Sequence, residues 1–311
     1  MIAQQVRIGT RGSKLALAQA ERVRAVIAAG LAGGLEAAPL IRITTTGDRI
    51  LDRPLMDLGG KALFTKEIEA ALLAGRIDCA VHSLKDMPAD APPGLVIAAI
   101  PEREDARDAL ISLTFDSLGA LPPGARLGTA SLRRQAQALH RRPDLRIVPL
   151  RGNVDSRIAK LERGEADAIL LAAAGLNRLG LGHLARDLID PAEAPPAPGQ
   201  GALAIQTRAA DADAPWLAPL RHGPTALAAA AERGALEALE GSCRTAIGAF
   251  ARLQNGRLTL VVEALTPDGA RRFRREGAVG ASDGDGAARD LGLRLGVEIR
   301  HEGGEALLAP P

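Results

Sequence analysis

The sequence lacks most of the features that mark secreted, membrane-spanning or metal-binding proteins. Its 311 residues hold only two cysteines, Cys79 and Cys243, which lie far apart and match no metal-ligand spacing. No apolar run reaches the roughly 18 residues of a membrane span, and charged residues crowd the start, where a secretion signal needs apolar ones. We therefore expect a cytoplasmic protein with no disulfide framework, no bound metal and no membrane segment.

Aromatic side chains are also scarce, since they make up 2% of the chain and tyrosine is absent. Proteins that bind RNA or single strands use such side chains to stack on bases. The formal net charge is only +2, which gives little attraction for a phosphate backbone. We do not expect a nucleic-acid partner.

Short aliphatic stretches alternate with helical periods before Pro224, which is typical of α/β folds with largely parallel sheets. The alternation restarts once, after Arg103–Asp108. The proline-rich segment Pro191–Gly201 then interrupts it, and the strand-like Ala202–Thr207 can return to the first unit. Two crossings between the same two units predict a hinged cleft. After Pro224 come a long helix, three strand-like stretches and a final helix.

We therefore predict two doubly wound α/β domains and a small C-terminal α+β domain with a three-stranded antiparallel sheet. The predicted boundaries are residues 1–101 with 199–220 for the first domain, 102–198 for the second and 221–311 for the third. The stretch 46–60 is rich in glycine and long for a connection, so we expect a mobile or functional loop that covers the cleft.

Three predicted helices begin with arginine beside a polar turn. They start at Thr10–Ser13, at Thr129–Arg134, and at Arg151–Asn153 with Arg157. A cation in the first turn of a helix is disfavoured by roughly 0.3–1 kcal/mol, so the pattern makes sense if an anionic ligand lies between the arginine and the helix end. Arginine forks match carboxylates, and no GxxxxGK[ST] phosphate loop is present. The alternative is that Ser13 and Ser131 are ordinary caps and the arginines are solvated.

The segment VHSLKDMP at 81–88 follows a strand that is apolar enough to be buried. Ser83, Lys85 and Asp86 thus lie at the carboxyl end of a strand, the edge where open α/β sheets bind ligands. Among so many cations we expect Asp86 to be ionised and to suit a cationic group. The alternative is a structural salt bridge from Lys85 or Asp86 to the scaffold.

In LEGSCRTAIG at 239–248, small residues leave room around Cys243, and Arg244 favours its thiolate. Such a thiol can carry a bulky adduct, although most free cysteines are small core residues. Cys79 lies within an apolar strand, and we assign it to the core.

Taken together, these segments closely resemble the porphobilinogen deaminase family of tetrapyrrole biosynthesis. The resemblance is carried by RIGTRGSKLALAQA, GGKALFTKEIE, AVHSLKDMP, REDARDA, LGTASLRRQAQ, LRGNVDSR, LAAAGLNRLG, APGQGALAI and LEGSCRTAIG, and it covers most of residues 6–250. It implies two domains of the type II periplasmic-binding-protein fold around a cleft, and a third that carries a cofactor cysteine.

The resemblance further implies a dipyrromethane cofactor, made by the enzyme from its own substrate and held by a thioether to Cys243. It implies that Asp86 is the catalytic carboxylate. The cofactor-binding residues that it implies are Cys243, Lys85, Asp86, Thr129, Ser131, Arg133, Arg134 and Gly201. The substrate-binding residues that it implies are Arg11, Ser13, Gln19, Ser83, Arg151, Arg157, Arg178 and Gln200.

The implied reaction joins four porphobilinogen molecules head to tail with loss of ammonia, and then releases hydroxymethylbilane by hydrolysis. Each pyrrole brings two carboxylates, which accounts for the arginines. Loss of ammonia leaves a cationic methylene-pyrrolenine that an ionised Asp86 would stabilise. We expect porphobilinogen as the partner and a monomeric enzyme.

Two other functions fit parts of the pattern. A non-catalytic solute-binding protein would bind carboxylates in the same two-unit cleft, but it would be secreted and would leave Cys243 without a task. A sequence-independent nucleic-acid binder would need its basic residues on one face, and the near-neutral net charge argues against it.

Overall fold

The computed structural model describes residues 5–49, 65–89, 91–239 and 245–307. The chain divides into two compact units: unit 1 is Met1–Glu104 with Ala202–Ala226, and unit 2 is Asp105–Gly201 with Leu227–Pro311. Three separate sheets are present, one in unit 1 and two in unit 2. The predicted three-domain boundaries stay a prediction.

Unit 1 is built on a five-stranded sheet in the order β2-β1-β3-β10-β4. Its elements are β1 Ile8–Thr10, α1 Lys14–Ala29, β2 Leu40–Arg42, α2 Thr46–Arg49, α3 Lys66–Leu73, β3 Cys79–Ser83, β4 Leu95–Ala99 and β10 Leu203–Arg208. Strand side chains alternate between faces, so Cys79 and Val81 pack with Val23 of α1, whereas Ala80 packs with Ile68 of α3. The first three strands are parallel, and β10 runs antiparallel to β3 and β4.

The first sheet of unit 2 repeats this design in the order β7-β6-β8-β5-β9. Its elements are β5 Asp108–Ile111, β6 Arg126–Gly128, α4 Leu132–Arg141, β7 Arg146–Val148, α5 Val154–Glu162, β8 Ala168–Ala172, α6 Ala173–Arg178 and β9 Asp187–Leu188. Strands β6, β7 and β8 are parallel, and β5 runs antiparallel to β8. In both sheets, three parallel strands thus lie side by side, and an antiparallel strand pairs with the outer one of them.

The C-terminal part of unit 2 is a three-stranded antiparallel sheet covered by two helices. Its elements are α7 Gly223–Leu239, which begins in unit 1, β11 Ala246–Gln254, β12 Arg257–Leu265, β13 Arg272–Gly280 and α8 Gly284–Gly303. A Cβ at Gly292 would collide with the backbone of Ala231, so glycine lets α7 and α8 approach closely. Glu232 is fully buried on α7 and accepts N–H bonds from Gly199 (2.7 Å) and Ala251 (2.9 Å).

The predicted fold class is confirmed in its architecture: two α/β sheets with equivalent strand orders and a small α+β part with three antiparallel strands. The 46–60 stretch differs from the prediction at its start, because Thr46–Arg49 forms a short helix. Its remainder, from residue 50, lies outside the described residues. Among the helices described, none has both the length and the apolar character that a membrane span requires.

Candidate active site

One group of predicted site residues lies at the carboxyl edge of the unit 1 sheet. Strands β1 and β3 are parallel neighbours, with Ile8 paired to Cys79, so the chain leaves both at the same edge. Arg11 and Ser13 follow β1, Ser83 is the last residue of β3, and the segment Leu84–Asp86 follows it. Part of the predicted site is therefore gathered at the edge that was expected for it.

A hydrogen bond between two side chains joins α1 to the end of β3. Gln19 is buried on α1, and its Nε2 donates to Oγ of Ser83 at 2.9 Å. Ser13 caps the same helix, since its Oγ accepts from the backbone N–H of Ala16 at 3.2 Å. Ser13 is therefore an ordinary helix cap, as one interpretation of the sequence proposed.

Lys85 and Asp86 lie on a one-turn 3₁₀ helix, Leu84–Asp86, directly after β3. The first residue of the turn holds it against the sheet, because Leu84 is buried and its N–H donates to the carbonyl of Ala202 at 3.0 Å. Lys85 is half-buried, whereas Asp86 is exposed and makes no hydrogen bond or ion pair within the described parts of the chain. The structure thus shows no salt bridge of Asp86 to the described scaffold, and its carboxylate is open to a ligand.

His82 is a buried group beside this edge that the sequence did not single out. Its Nε2 lies 3.1 Å from Oε1 of Gln206, whose Nε2 donates to Glu69 at 3.3 Å. The amide oxygen therefore faces His82, so the imidazole donates through Nε2. Burial lowers the pKa of His82 to about 4, the hydrogen bond to Gln206 opposes this, and the charge of Arg11 lowers it further. His82 is neutral near pH 7.

The second group lies at the carboxyl edge of the first unit 2 sheet, after β6, β7 and β8. Thr129 is buried, and its Oγ1 accepts from the backbone N–H of Ser131 at 3.1 Å. Ser131 caps α4 by accepting from the N–H of Arg134 at 3.4 Å. Arg151 follows β7, and Arg157 lies on α5. Both of these arginines are half-buried.

Arg133 and Arg134 are buried, at 5% and 6% exposed, so the alternative in which the arginines are solvated is wrong for these two. Nη1 of Arg133 donates to Asp108 at 2.7 Å, and Nε and Nη2 of Arg134 donate to the same carboxylate at 3.0 and 2.7 Å. Burial opposes ionisation of Asp108, but the charges and hydrogen bonds of both arginines outweigh it and hold its pKa well below the usual range. A protein carboxylate therefore supplies the anion expected at this helix start.

Gln200, Gly201 and Arg178 complete the unit 2 group. Gln200 is buried, and its Nε2 donates to the carbonyl of Ala106 at 2.7 Å and to Asp108 at 2.9 Å. Arg178 is half-buried on α6, and its Nη2 donates to the carbonyl of Gly201 at 2.6 Å. Gly201 has a φ of +87°, a conformation that favours glycine.

Cys243 lies outside the described residues, within the gap 240–244. Two buried donors nevertheless test whether unit 2 fits an acidic cofactor: Nε of Arg133 and Oγ1 of Thr245 have no hydrogen-bond partner among the described residues. Buried polar groups are nearly always satisfied, and a ligand carboxylate would accept from either. Thr245 is two positions from Cys243 in sequence. The donor set fits a polycarboxylate held in unit 2.

The structure thus gathers the predicted residues that it describes, all except Cys243, into two groups, one in each unit. The predicted cleft, and the role of each residue toward a ligand, stay predictions. The sequence analysis did not single out His82 and Asp108. Asp108 had a usable signal, since it is a carboxylate at the start of the otherwise apolar strand DALI.

Comparison with known proteins identifies the family over nearly the whole chain. Residues 6–215 match the family model described as porphobilinogen deaminase, dipyromethane cofactor binding domain, and residues 226–301 match that of the porphobilinogen deaminase C-terminal domain. The chain is 67% identical to the porphobilinogen deaminase of Caulobacter sp. (strain K31) over 315 aligned positions, which cover 99% of both chains. It is 64% identical to that of Phenylobacterium zucineum, over 97% of this chain and 98% of the relative.

Among solved structures, the methionine binding protein MetQ matches with a TM-score of 0.45 and 15% identity, over 70% of this chain and 88% of that one. The sequence relatives extend through both units, and the family models include the cofactor-binding domain. The resemblance inferred from the motifs is confirmed, and the chain belongs to the porphobilinogen deaminase family.

Proposed function

We propose that the chain joins four porphobilinogen molecules head to tail with loss of ammonia and releases hydroxymethylbilane by hydrolysis. The observation that carries the proposal is family identity over the full length, combined with an exposed carboxylate, Asp86, that has no partner in the described scaffold. A binding protein that only holds its ligand gives neither Asp86 nor Cys243 a task, so the solute-binding alternative is not favoured.

The substrate is a pyrrole with two carboxylates, and the residues proposed to bind it are rich in positive charge. Arg11 lies at the unit 1 edge, and Arg151, Arg157 and Arg178 lie at the unit 2 edge. Guanidinium groups bind carboxylates through paired N–H donors, which fixes orientation as well as charge. We assign a supporting role to four residues whose described hydrogen bonds are to other protein groups: Ser13, Gln19, Ser83 and Gln200.

Asp86 is the group that we propose to act on the reacting pyrrole. Its carboxylate is exposed at the end of β3, and the buried Leu84 and Met87 on either side hold the turn in place. Loss of ammonia from the substrate leaves positive charge on its pyrrole, which a fixed carboxylate stabilises. The same carboxylate can accept the pyrrole N–H and relay protons near it.

Bound dipyrromethane supplies the primer to which substrate units are added. We propose that Cys243 holds it covalently and that Arg133 anchors a carboxylate through Nε, its buried and otherwise unsatisfied donor. The residues that we propose to surround the cofactor in unit 2 are Thr129, Ser131, Arg134 and Gly201. From unit 1, we assign Lys85 and Asp86 to cofactor binding.

We also propose that the enzyme works as a monomer in the cytoplasm.

Cys79, the cysteine that the structure describes, is a free and fully buried thiol. Burial raises the pKa of that thiol, which leaves it unreactive and agrees with a role in the core.

An intact-protein mass spectrum tests the proposal. The purified protein should exceed its sequence mass by two linked pyrrole units, and Cys243→Ser should lose that excess together with turnover of porphobilinogen. Cys79→Ala is the matched control and should keep both. A native protein that has its bare sequence mass and still consumes porphobilinogen would overturn the cofactor assignment.

A further inference from the structure

A buried amide joins the arginine pair of unit 2 to its C-terminal sheet. Gln137 lies on α4, one turn after Arg133, and its Oε1 accepts from Nη1 of Arg133 at 2.8 Å. Its Nε2 donates to Oε1 of Glu263 on β12 at 3.0 Å and to the carbonyl of Pro195 at 2.9 Å. Gln137 is 6% exposed and Glu263 is 1% exposed. The contact is therefore shielded from water.

The orientation of this amide is fixed by its neighbours. Arginine can only donate, so the oxygen of Gln137 must face Arg133. Glu263 and the carbonyl of Pro195 accept, so the nitrogen must face them. The hydrogen bonds consequently run in one direction, from Arg133 to Gln137 to Glu263, and no rotation of the amide preserves them.

The far end of the connection lies in the middle of the C-terminal sheet. Glu263 is paired in register with Gly248 on β11 and with Arg274 on β13, and a guanidinium nitrogen of Arg274 lies 3.6 Å from its carboxylate. A Cβ at Gly248 would lie 3.1 Å from Nε2 of Gln137, so the glycine leaves room for the amide beside this strand. Gly248 is five positions after Cys243 in sequence.

From these contacts we infer that Gln137 is a positioning residue: it fixes the guanidinium of Arg133 relative to β12, and so sets the direction in which the proposed carboxylate anchor, Nε of Arg133, points. This inference rests on the proposed function. A donor that anchors a ligand carboxylate is effective only if it is held in the orientation that the bound ligand needs. The Nε donor of Arg133 is the proposed anchor, and the amide of Gln137 holds the guanidinium that carries it.

A merely structural role would be to hold α4 against the C-terminal part, and the chain offers a matched control for that role. Gln135 lies on the same helix, and its Nε2 donates to the carbonyl of Pro267 at 3.2 Å. It thus bridges the same two parts of unit 2, but no hydrogen bond to Arg133 or Glu263 is among its contacts in the described part of the chain. Gln135→Leu removes a bridge without disturbing the anchor.

The test compares Gln137→Leu, Gln135→Leu and wild type, each as the full chain produced in cells that supply no porphobilinogen. Porphobilinogen is then added, and intact mass follows the gain of two linked pyrrole units with time. We expect Gln137→Leu to load roughly 10- to 100-fold more slowly than wild type, because a small misplacement of an anchor costs about that much. Gln135→Leu should load at the wild-type rate.

If Gln137→Leu does not fold, as judged by its circular dichroism, the pair Gln137→Glu and Glu263→Gln replaces it. Gln137→Glu alone faces one carboxylate with another and should load slowly, whereas the double variant restores a donor opposite the new carboxylate and should recover part of the rate. Loading of Gln137→Leu at the wild-type rate, equal slowing in Gln135→Leu, or no recovery in the double variant would overturn the inference. A wild-type chain that gains no pyrrole mass overturns the proposed function itself, and the role of Gln137 with it.

Discussion

The carboxyl edges of the two α/β sheets carry similar sequence patterns but use charge in different ways. At the unit 1 edge, Asp86 is exposed and bonds to nothing in the described scaffold. At the unit 2 edge, Arg133 and Arg134 are buried around one carboxylate of their own chain, Asp108. A charge that is left open serves a ligand, whereas a charge that is enclosed must first be balanced by the fold.

The difference also explains an apparent conflict with helix electrostatics. Arginines in the first turn of α4 oppose the helix dipole, and the sequence suggested that a ligand must offset them. Asp108 offsets them instead, with three hydrogen bonds of 2.7 to 3.0 Å from the two guanidinium groups. Of the guanidinium nitrogens of Arg133 and Arg134, Nε of Arg133 is buried without a partner in the described part of the chain, so it stays available to a ligand.

The largest effect on stability is expected at Asp108. Asp108→Asn keeps the shape but leaves two buried guanidinium groups without a counter-charge, which should lower the free energy of unfolding by about 3–5 kcal/mol. Urea denaturation at pH 7 measures the change. Glu165→Gln, which removes the acceptor of an exposed pair with Arg163, is the control and should shift the midpoint very little. Equal shifts in both variants would contradict the contrast between enclosed and open charges.

A smaller effect is expected from acid at His82. Its folded pKa of about 4 lies below the ordinary value of 6.5, so between these pH values the unfolded chain binds a proton that the folded chain does not. Stability should therefore fall as the pH drops from about 6.5 to about 4, by roughly 2–3 kcal/mol between pH 7 and pH 4.5. The depressed pKa of Asp108 acts only at lower pH, because the ordinary value of that group is 3.8.

Urea denaturation at pH 7 and pH 4.5 isolates this contribution. His82→Gln should lose less stability on acidification than wild type, whereas His183→Gln, at an exposed position, should lose as much as wild type. If wild type and His82→Gln lose the same amount, His82 is not the group that resists protonation.

The sequence was sufficient for the fold class and for the edge at which Asp86 lies, because both follow from local patterns. Alternating apolar runs predict the strands, and the carboxyl ends of the parallel strands β1 and β3 must meet at one edge. Ser13 and Ser131 could equally be recognised as caps from their place before a helix.

The buried network could not be predicted in the same way, because its partners are distant in the chain. Arg133 and Asp108 are 25 positions apart, and Gln137 and Glu263 are 126 apart. Nothing in the local pattern of α4 distinguishes Gln137 from Gln135. Burial of the arginines was missed for the same reason, since an arginine is normally exposed unless a carboxylate is brought to it by the fold.

The most direct test of the contrast between the two edges is to measure turnover and stability together on Asp86→Asn. An exposed carboxylate without described partners should contribute almost nothing to folding, so the urea midpoint should stay at the wild-type value. Turnover of porphobilinogen should fall roughly 10²–10⁴-fold, because the substitution removes the charge and the proton relay but keeps the shape. Asp86→Glu, which keeps the charge, should retain more activity. Near-normal turnover in Asp86→Asn, or a loss of turnover matched by a loss of stability, would contradict the account.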